Sequence, residues 1–565
     1  MPARPDWTLQ YSTETPKHLD SMPFASLADL ARQMTKLYGP KTAFTLCLPN
    51  GSGASLSYTQ LDHYSDAFAV WLREEAGLAP GSRVALQMPN CLAYPVAAFG
   101  VFKAGMVLVN TNPLYTAPEM EHQFADSGAE ALVIIDLFAD KLEGILKNTK
   151  IKKVVLASLT DFMPPFEKAL IGFVLKFVKR QVPRCKVPHL AFVDTLKADG
   201  QKALAYASNI GLETLAALQY TGGTTGVSKG AMLSHGNLLW DMELSYQFAR
   251  SKVTLGKEVV LTPLPLYHVF AFTVNLLVFF RSGAQNVLIP SPRPPSNLKA
   301  AFKKYPITWM TGVNTLYKAL LRETWFVKNP PRFLKDCVAG GAALHSAVAE
   351  QWKQLFGDPV YEGYGLSEAS PVLSFNPLSG NNRIGTIGVP LSNTDIKLVD
   401  ESGQEVALGQ AGEICAKGPQ VMQGYWGQPE ETAEVLKGGW LATGDIGVMD
   451  ADGFIKIVDR KKDMINVSGL KVFPNEVEEC LNGMPGVLEA AVIGVPYGET
   501  GEAVRAYLIC KPGATVSIEE VREFCKTRLA HYKIPKQLRL RTELPKTPVG
   551  KILRKVLKAE AAEES

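Results

Sequence analysis

From Leu61 to Tyr361, with a break over residues 156 to 190, the chain alternates helical hydrophobic patterns with short apolar runs, and this alternation limits its possible folds more than any other feature. Leu61, Tyr64, Phe68 and Trp71 share one helix face. Val84 to Met88 reads as a strand, Leu92 to Lys103 as a helix, and Val107 to Asn110 and Ala131 to Ile135 as further strands. Repetition of strand, helix and strand predicts βαβ units and a largely parallel sheet covered by helices, because parallel neighbours must be joined by a crossover. Upstream, Leu27, Leu30, Met34 and Leu37 recur at helical spacing, and Asn50-Gly51 sits like a hairpin turn between Ala43 to Leu48 and Ala54 to Tyr58.

The strand-like runs share a second property. Those ending at Thr262, Ile289, Thr311, Ala339 and Tyr361 deliver the chain to Pro263-Leu264-Pro265-Leu266-Tyr267-His268, Pro290, Gly312-Val313-Asn314, Gly340-Gly341-Ala342-Ala343 and Glu362-Gly363-Tyr364-Gly365. Open parallel sheets bind ligands beyond the carboxyl ends of their strands, so these segments predict one shared cleft.

From Ile384 the texture changes to short strands between Gly and Asp turns, among them Asp395 to Val399, Gly412 to Ala416 and Phe454 to Val458. This suits a small antiparallel or β-barrel-like subdomain. Beyond Arg460, a helix from Pro474 to Leu481, strands near Ala490 to Gly494 and Ala503 to Cys510, and a helix from Ile518 to Leu529 predict a compact α+β module. The expected fold is therefore α/β, with a large domain over 1–460 and a small one over 461–565. A chain of 565 residues exceeds one ordinary core, which agrees with two or more domains.

The formal charge of +4 is small against 59 basic and 55 acidic residues and argues against a nucleic-acid binder held by phosphate contacts. The eight cysteines show no C-x-x-C and no metal spacing with the histidines, and read as reduced thiols in a cytoplasmic protein. Met1 to Thr15 lacks the apolar run of a secretory signal, so no export is expected. The most apolar stretch, Val269 to Phe280, is well short of the ~20 residues needed to span a bilayer.

The stretch with the clearest chemistry is Tyr220-Thr221-Gly222-Gly223-Thr224-Thr225-Gly226-Val227-Ser228-Lys229-Gly230. Glycines allow backbone N–H groups to approach phosphate oxygens, hydroxyls add short donors, and Lys229 adds a mobile positive charge. The lysine follows Ser228 and precedes Gly230, so the order required of a kinase-type P-loop is absent.

This loop resembles the phosphate-loop signature of the adenylate-forming superfamily, which contains acyl-CoA ligases, luciferases and the adenylation domains of peptide synthetases. Tyr361 to Glu368 looks like its adenine-and-magnesium motif, Thr443-Gly444-Asp445 like its ribose motif, and Lys546 to Lys551 like its C-terminal lysine loop. Gly439 to Asp463 resembles the signature of fatty-acyl-CoA synthetases in particular. Asn112-Pro113-Leu114-Tyr115-Thr116 and Pro474-Asn475-Glu476-Val477-Glu478 look like the bacterial long-chain branch.

The resemblance implies a ligase that joins a long-chain fatty acid to coenzyme A using ATP and Mg²⁺. The carboxylate attacks the α-phosphorus, pyrophosphate leaves, and a thiol then displaces AMP from the acyl-adenylate. Negative charge gathers on the α-phosphoryl oxygens, so a positioned cation lowers the barrier most. Lys551 is the expected cation. Glu368 is expected to hold Mg²⁺ with help from Thr221. Asp445 would accept from both ribose hydroxyls, with Arg460 reaching the same sugar; Tyr364 would stack on adenine opposite Gly341 and Ala342, within the Glu362-Gly363-Tyr364-Gly365 motif. His268 would line the junction of nucleotide and acyl sites, and Val269, Phe270, Phe272 and Thr273 would wall the acyl pocket. The family often has tryptophan where Phe272 stands, which leaves the channel gate unassigned. Lys462 would be the hinge about which the small domain swings, so that Ser468, Gly469 and Lys471 face the thioester step.

No acid occurs from Pro263 to Phe280, whereas an amino-acid-activating domain needs a carboxylate for the substrate ammonium, so an uncharged tail fits better. Two alternatives stay open: an acyl-AMP ligase that serves a carrier protein, and a nonenzymatic fatty-acid carrier. The family also suggests homodimers. Finally, Phe166, Leu170, Phe173, Val174, Phe177, Val178 and Val182 fall on one helical face with Lys168, Lys176, Lys179 and Arg180 largely elsewhere. Such a helix either rests on the inner face of the cytoplasmic membrane, the reading adopted here, or packs on its own domain or a partner.

Overall fold

The structure is a computed structural model that describes residues 4–221, 228–378, 380–468, 470–498, 501–547 and 550–564. Two large sheets form its body. In the first, Val360–Gly365, Asp336–Ala339, Trp309–Gly312, Val259–Thr262, Gln285–Leu288 and Thr42–Leu46 run parallel in that spatial order. Antiparallel strands close both ends: Val372–Phe375 and Val389–Pro390 at one, Ser55–Ser57 at the other. In the second, Leu215–Thr221, Val107–Asn110, Arg83–Gln87, Ala131–Ile135, Lys153–Ala157 and Leu190–Ala191 are parallel, with Lys229–Ser234 and Gly424–Tyr425 antiparallel at the Leu215 edge.

The expected alternation of strand and helix is thus split between two sheets that share one hydrophobic core. The helix Ala93–Lys103 has every residue buried, as a helix between two layers must. Its Lys103, with no exposed side-chain surface, is neutralised by Asp62 and by Asp66 at 2.9 Å, the pairing a buried ammonium requires. The helix Leu27–Tyr38 forms as its spacing predicts, but Leu37 is exposed and Ala31 is buried instead.

Asp395–Val399, Ala411–Lys417, Trp440–Met449 and Ile455–Arg460 form an open antiparallel sheet, completed by the short strand Leu436–Lys437. Residues from Ile465 onward build separate cores around the strands Val487–Pro496, Glu502–Cys510 and Gln537–Leu540. The helices Pro474–Asn482, Ile518–Lys526 and Arg554–Glu563 cover them.

The amphipathic segment is shorter than its sequence pattern. A regular helix runs over Pro165–Phe173, a wider turn follows over Val174–Val178, and Arg180 takes a left-handed φ of 51°. Phe166, Leu170, Phe173, Phe177 and Val178 are exposed. Val174 and Val182 are half-buried and leave the outward face: Val174 opens the wider turn, and Val182 lies past the left-handed Arg180, beyond the helix. Among the described residues, no helix is long and apolar enough to cross a membrane.

Candidate active site

The segment after Thr262 has little regular hydrogen bonding of its own, so its backbone groups need side-chain partners. Asn90 donates to the carbonyls of Thr262 and Leu264 and accepts from the Leu266 N–H. Tyr94 donates to Leu266 O at 2.9 Å, and Gln219 to Tyr267 O at 3.2 Å. This scaffold fixes His268, whose Nδ1 accepts from the Phe270 N–H at 3.3 Å and caps the helix that follows. Val269, Phe270, Phe272 and Thr273 on that helix are all buried, Phe272 against Phe102, and the Thr273 hydroxyl donates to Ser370 O.

Across the first sheet, a Cβ added to Gly340 would meet the Phe270 ring at 3.3 Å and Gly363 O at 3.4 Å, so three strand-end segments converge here. Gly341 holds φ +76° and faces open space; Ala342 beside it is half-buried. The Glu362-Gly363-Tyr364-Gly365 motif lies within a strand, where a loop was expected at the end of a run. Antiparallel pairing with Val372–Phe375 extends the ladder through it, and a Cβ at Gly365 would fall 1.9 Å from Pro371 O. Glu362 is buried and accepts from the Leu344 N–H at 3.0 Å, which pins the Gly340–Ala343 loop; burial pushes its carboxyl up to about 8.

Tyr364 reaches the other layer and donates to Asp445 Oδ2 at 2.7 Å, while Arg460 Nε lies 3.3 Å from Oδ1. Asp445 and Arg460 are direct cross-strand partners. Gly444, at φ +72°, turns the strand so that Asp445 N–H donates to Thr443 Oγ1. Glu368 sits in a short turn and accepts from the Tyr425 hydroxyl at 2.8 Å; burial raises its pKa, with Tyr425 opposing.

At the phosphate-type loop, Tyr220 donates to Asp126 at 2.5 Å, and its ring packs on Gly230. Thr221 pairs in register with Lys229, and Ser228 O lies 3.4 Å from His122 Nε2. Lys229 is paired with Glu431 and lies over the Tyr425 ring. Gly222, Gly223, Thr224, Thr225, Gly226 and Val227 are outside the described residues, as are Gly469 and, in the lysine loop, Pro548 and Val549.

Lys551 comes from the far end of the chain into the same cleft. Its loop is braced by Thr547, whose Oγ1 accepts from Lys551 N–H at 3.0 Å, and by Gly550, whose position leaves no room for a Cβ beside Thr315. Burial and the neighbouring Arg460 charge push the Lys551 ammonium down to about 7, with Asp445 opposing. His268 is lowered to about 4 by burial and then by the Lys551 charge, so it stays neutral near pH 7. Ionisable groups shifted this way in a cleft mark a site of chemistry.

The structure thus brings His268, Lys551, Arg460, Asp445 and Tyr364 close together, with Glu368 joined to Lys229 through Tyr425, in one candidate site. Lys462, with its ammonium lowered by partial burial and by Arg460, lies at its edge. Ser468 and Lys471 are not brought in: Ser468 is exposed at φ 52°, and Lys471 pairs with Glu401 at 2.5 Å. Sequence reasoning missed Tyr425 and Glu431. Both lie in or just after the short strand Gly424–Tyr425, which pairs with the strand after the loop, a contact that no local pattern shows.

The AMP-binding enzyme family matches residues 31–426, and the AMP-binding enzyme C-terminal domain matches residues 476–551. The chain is 44% identical to a long-chain-fatty-acid–CoA ligase of Escherichia coli O157:H7 over 98% of both chains. It is 36% identical to that of Bacillus subtilis strain 168 over 100% of this chain and 99% of the other. Among solved structures, ATP-bound MatB from Rhodopseudomonas palustris superposes with a TM-score of 0.82 at 28% identity, covering 94% of this chain and 98% of its own. The anthranilate CoA ligase AuaEII in complex with anthranoyl-AMP gives 0.83 at 26% identity, covering 96% and 99%. Family matches over both parts of the chain, near-full-length relatives and the superposed folds agree: the chain belongs to the AMP-binding, adenylate-forming enzyme family.

Proposed function

We propose that this protein is an AMP-forming ligase that joins a long-chain fatty acid to coenzyme A through an acyl-adenylate. The observation that carries the reading is 44% identity over 98% of the chain to ligases of that name. An apolar helix after His268 supports it, because that helix offers an alkyl tail buried walls and no carboxylate.

In this reading the loop Tyr220–Gly230 cradles the phosphates, Tyr364 and the Gly341-Ala342 backbone sandwich adenine, and Asp445 with Arg460 holds the ribose. Lys551 bridges the fatty carboxylate and the α-phosphate, so its cation meets the charge that grows during attack. Neutral His268 lines the point where nucleotide and acyl sites join. Glu368 and Thr221 suit Mg²⁺: Tyr425 holds one carboxylate oxygen of Glu368, and a hard cation would take the other together with a hydroxyl and phosphate oxygens. When bound, the ion supplies charge neutralisation to the departing pyrophosphate. The boundary falls at Arg460 to Lys462, and the small domain swings about Lys462 to present Ser468, Gly469 and Lys471 in the second step.

The test is ATP–pyrophosphate exchange with and without a long-chain acid, followed by thioester formation with free CoA. Acid-dependent exchange and acyl-CoA are expected. No exchange overturns the ligase, and exchange without acyl-CoA moves the reading to a carrier-directed acyl-AMP ligase. We also place the protein peripherally on the cytoplasmic membrane face. The exposed Phe166, Leu170, Phe173 and Phe177 beside Lys176, Lys179 and Arg180 support this, since long-chain acids partition into lipid.

A further inference from the structure

The loop that carries Lys551 is tied to the hinge by a buried charge cluster to which the ligase reading gives no role. Arg554, three residues after Lys551, donates Nε and Nη2 to the two Glu478 oxygens at 3.1 and 2.8 Å and Nη2 to Asn475 Oδ1 at 2.5 Å. Its Nη1 faces Asp459 at 3.3 Å and Asp463 at 3.4 Å. Asp459 has no exposed side-chain surface. Its Oδ2 accepts from the Asn475 N–H at 2.6 Å, in the first turn of the helix Pro474–Asn482, and its Oδ1 accepts from the Arg460 N–H at 2.7 Å. A carboxylate is favoured at a helix N-terminus.

The partners divide unequally about Lys462. Asn475, Glu478, Asp463 and Arg554 all follow the hinge and move together. Asp459 precedes it and is fixed opposite Ile446 in the open antiparallel sheet. Rotation about Lys462 therefore leaves Arg554 with Glu478, Asn475 and Asp463 but separates Asp459 from both Asn475 and Arg554. A buried carboxylate that loses two charge-assisted partners must be rehydrated, and breaking such a pair is far costlier than parting an exposed one. Among the described residues, the other ion pair across this junction, Lys471 with Glu401, is solvent-exposed and weak by comparison.

Resting on the ligase reading, we propose that Asp459 is a positioning residue: a latch that holds the small domain in the orientation that inserts Lys551, and that must release before the thioester step.

The test is Asp459→Asn, which keeps shape but removes the charge, assayed in the two half-reactions separately. Adenylation is followed by pyrophosphate exchange, and thioester formation from supplied acyl-AMP and CoA. We expect adenylation to fall about ten-fold while the thioester step holds or rises. Arg554→Lys, which keeps a charge for Glu478 but shortens the reach to Asp459, should show the same split in weaker form. Limited trypsin cleavage after Arg460, Lys461 or Lys462 needs no turnover and should be faster in Asp459→Asn than in wild type. A parallel loss in both half-reactions, or no change in either, with wild-type cleavage, overturns the latch. Absence of exchange in the wild type itself would instead overturn the ligase reading, and the cleavage comparison would still judge the latch.

Discussion

The Tyr364 hydroxyl donates to Oδ2 of Asp445 at 2.7 Å, and so joins the end of a strand in the first large sheet to the separate antiparallel sheet. The bond crosses between two layers whose mutual position defines the proposed nucleotide cleft. A hydrogen bond to a charged acceptor is worth roughly 1.5–3 kcal/mol, so Tyr364→Phe should raise the KM for ATP about ten-fold or more. The KM for the fatty acid should stay near the wild-type value, because the proposed reading puts the pair on the nucleotide side. Steady-state kinetics with each substrate varied in turn checks this; an equal rise for all three substrates would show general damage to the cleft.

Lys551 should leave a signature in pH. Its ammonium is pushed down to about 7 by burial and by Arg460, against an ordinary value of 10.5. In the proposed role of Lys551 the protonated form stabilises charge on the α-phosphate, so kcat/KM for adenylation should fall as pH rises above about 7. Lys551→Arg, which cannot lose its proton, should lack that limb. Lys551→Ala should lose at least ~10²-fold in adenylation yet convert supplied acyl-AMP to acyl-CoA. Stability carries the opposite sign. Between about 7 and 10.5 the unfolded chain holds a proton that the folded one lacks, so this group makes the protein more stable as pH rises through that window, and Lys551→Met should lose the slope. Equal loss of both half-reactions in Lys551→Ala would remove the lysine from its assigned step.

The parts legible in sequence are those governed by local periodicity. The strand Arg83–Gln87 and the helix Ala93–Lys103 fall within one residue of the expected Val84 to Met88 and Leu92 to Lys103, because burial between layers imposes the same repeat that the apolar residues display. Division of the strands between two sheets was not legible, since pairing order depends on crossovers that leave no mark in either strand. Contacts between distant segments were hidden for the same reason. Tyr425 meets Glu368, and Glu431 meets Lys229, only because the strand Gly424–Tyr425 pairs with the strand after the loop. The outward face expected over 166–182 keeps Phe177 and Val178 but loses Val174, where the turn widens, and Val182, which lies past the left-handed Arg180 and so outside the helix that the reading assumed.

Two glycines in the cleft should separate stability from binding. Gly365→Ala would drive a Cβ to within 1.9 Å of Pro371 O, a backbone atom held by strand pairing. A loss of about 3 kcal/mol or more is expected, as for other unrelieved overpacking. Gly341→Ala meets nothing within 4 Å, and its cost is the left-handed φ of 76°, about 1 kcal/mol. Its methyl would project into the space assigned to adenine, so the KM for ATP should rise while the melting temperature barely moves. Thermal melts paired with ATP titrations decide between these outcomes; a Gly341→Ala protein with unchanged KM would put adenine elsewhere.

The last prediction concerns the helix Pro165–Phe173 and the turn after it. Phe166 is 79% exposed and Phe177 60%, an unusual outlay of aromatic surface for a segment that also carries Lys176, Lys179 and Arg180. Ile171 packs against the main core and Leu175 is half-buried, so the exposed phenylalanines lie outside the packing that seats the helix. Aromatic side chains ringed by basic ones match an anionic bilayer, where each basic residue contributes about 1 kcal/mol and salt weakens the attraction. Wild-type protein should float with anionic liposomes at low salt and much less at high salt. Lys176→Glu/Lys179→Glu/Arg180→Glu should remain folded and active on soluble substrate but lose most of the flotation, since like charges then face the lipid. Phe173→Ser/Phe177→Ser should weaken binding without steepening its salt dependence, because it removes the apolar share alone. Flotation of the triple mutant at the wild-type level would show that this segment is not the anchor.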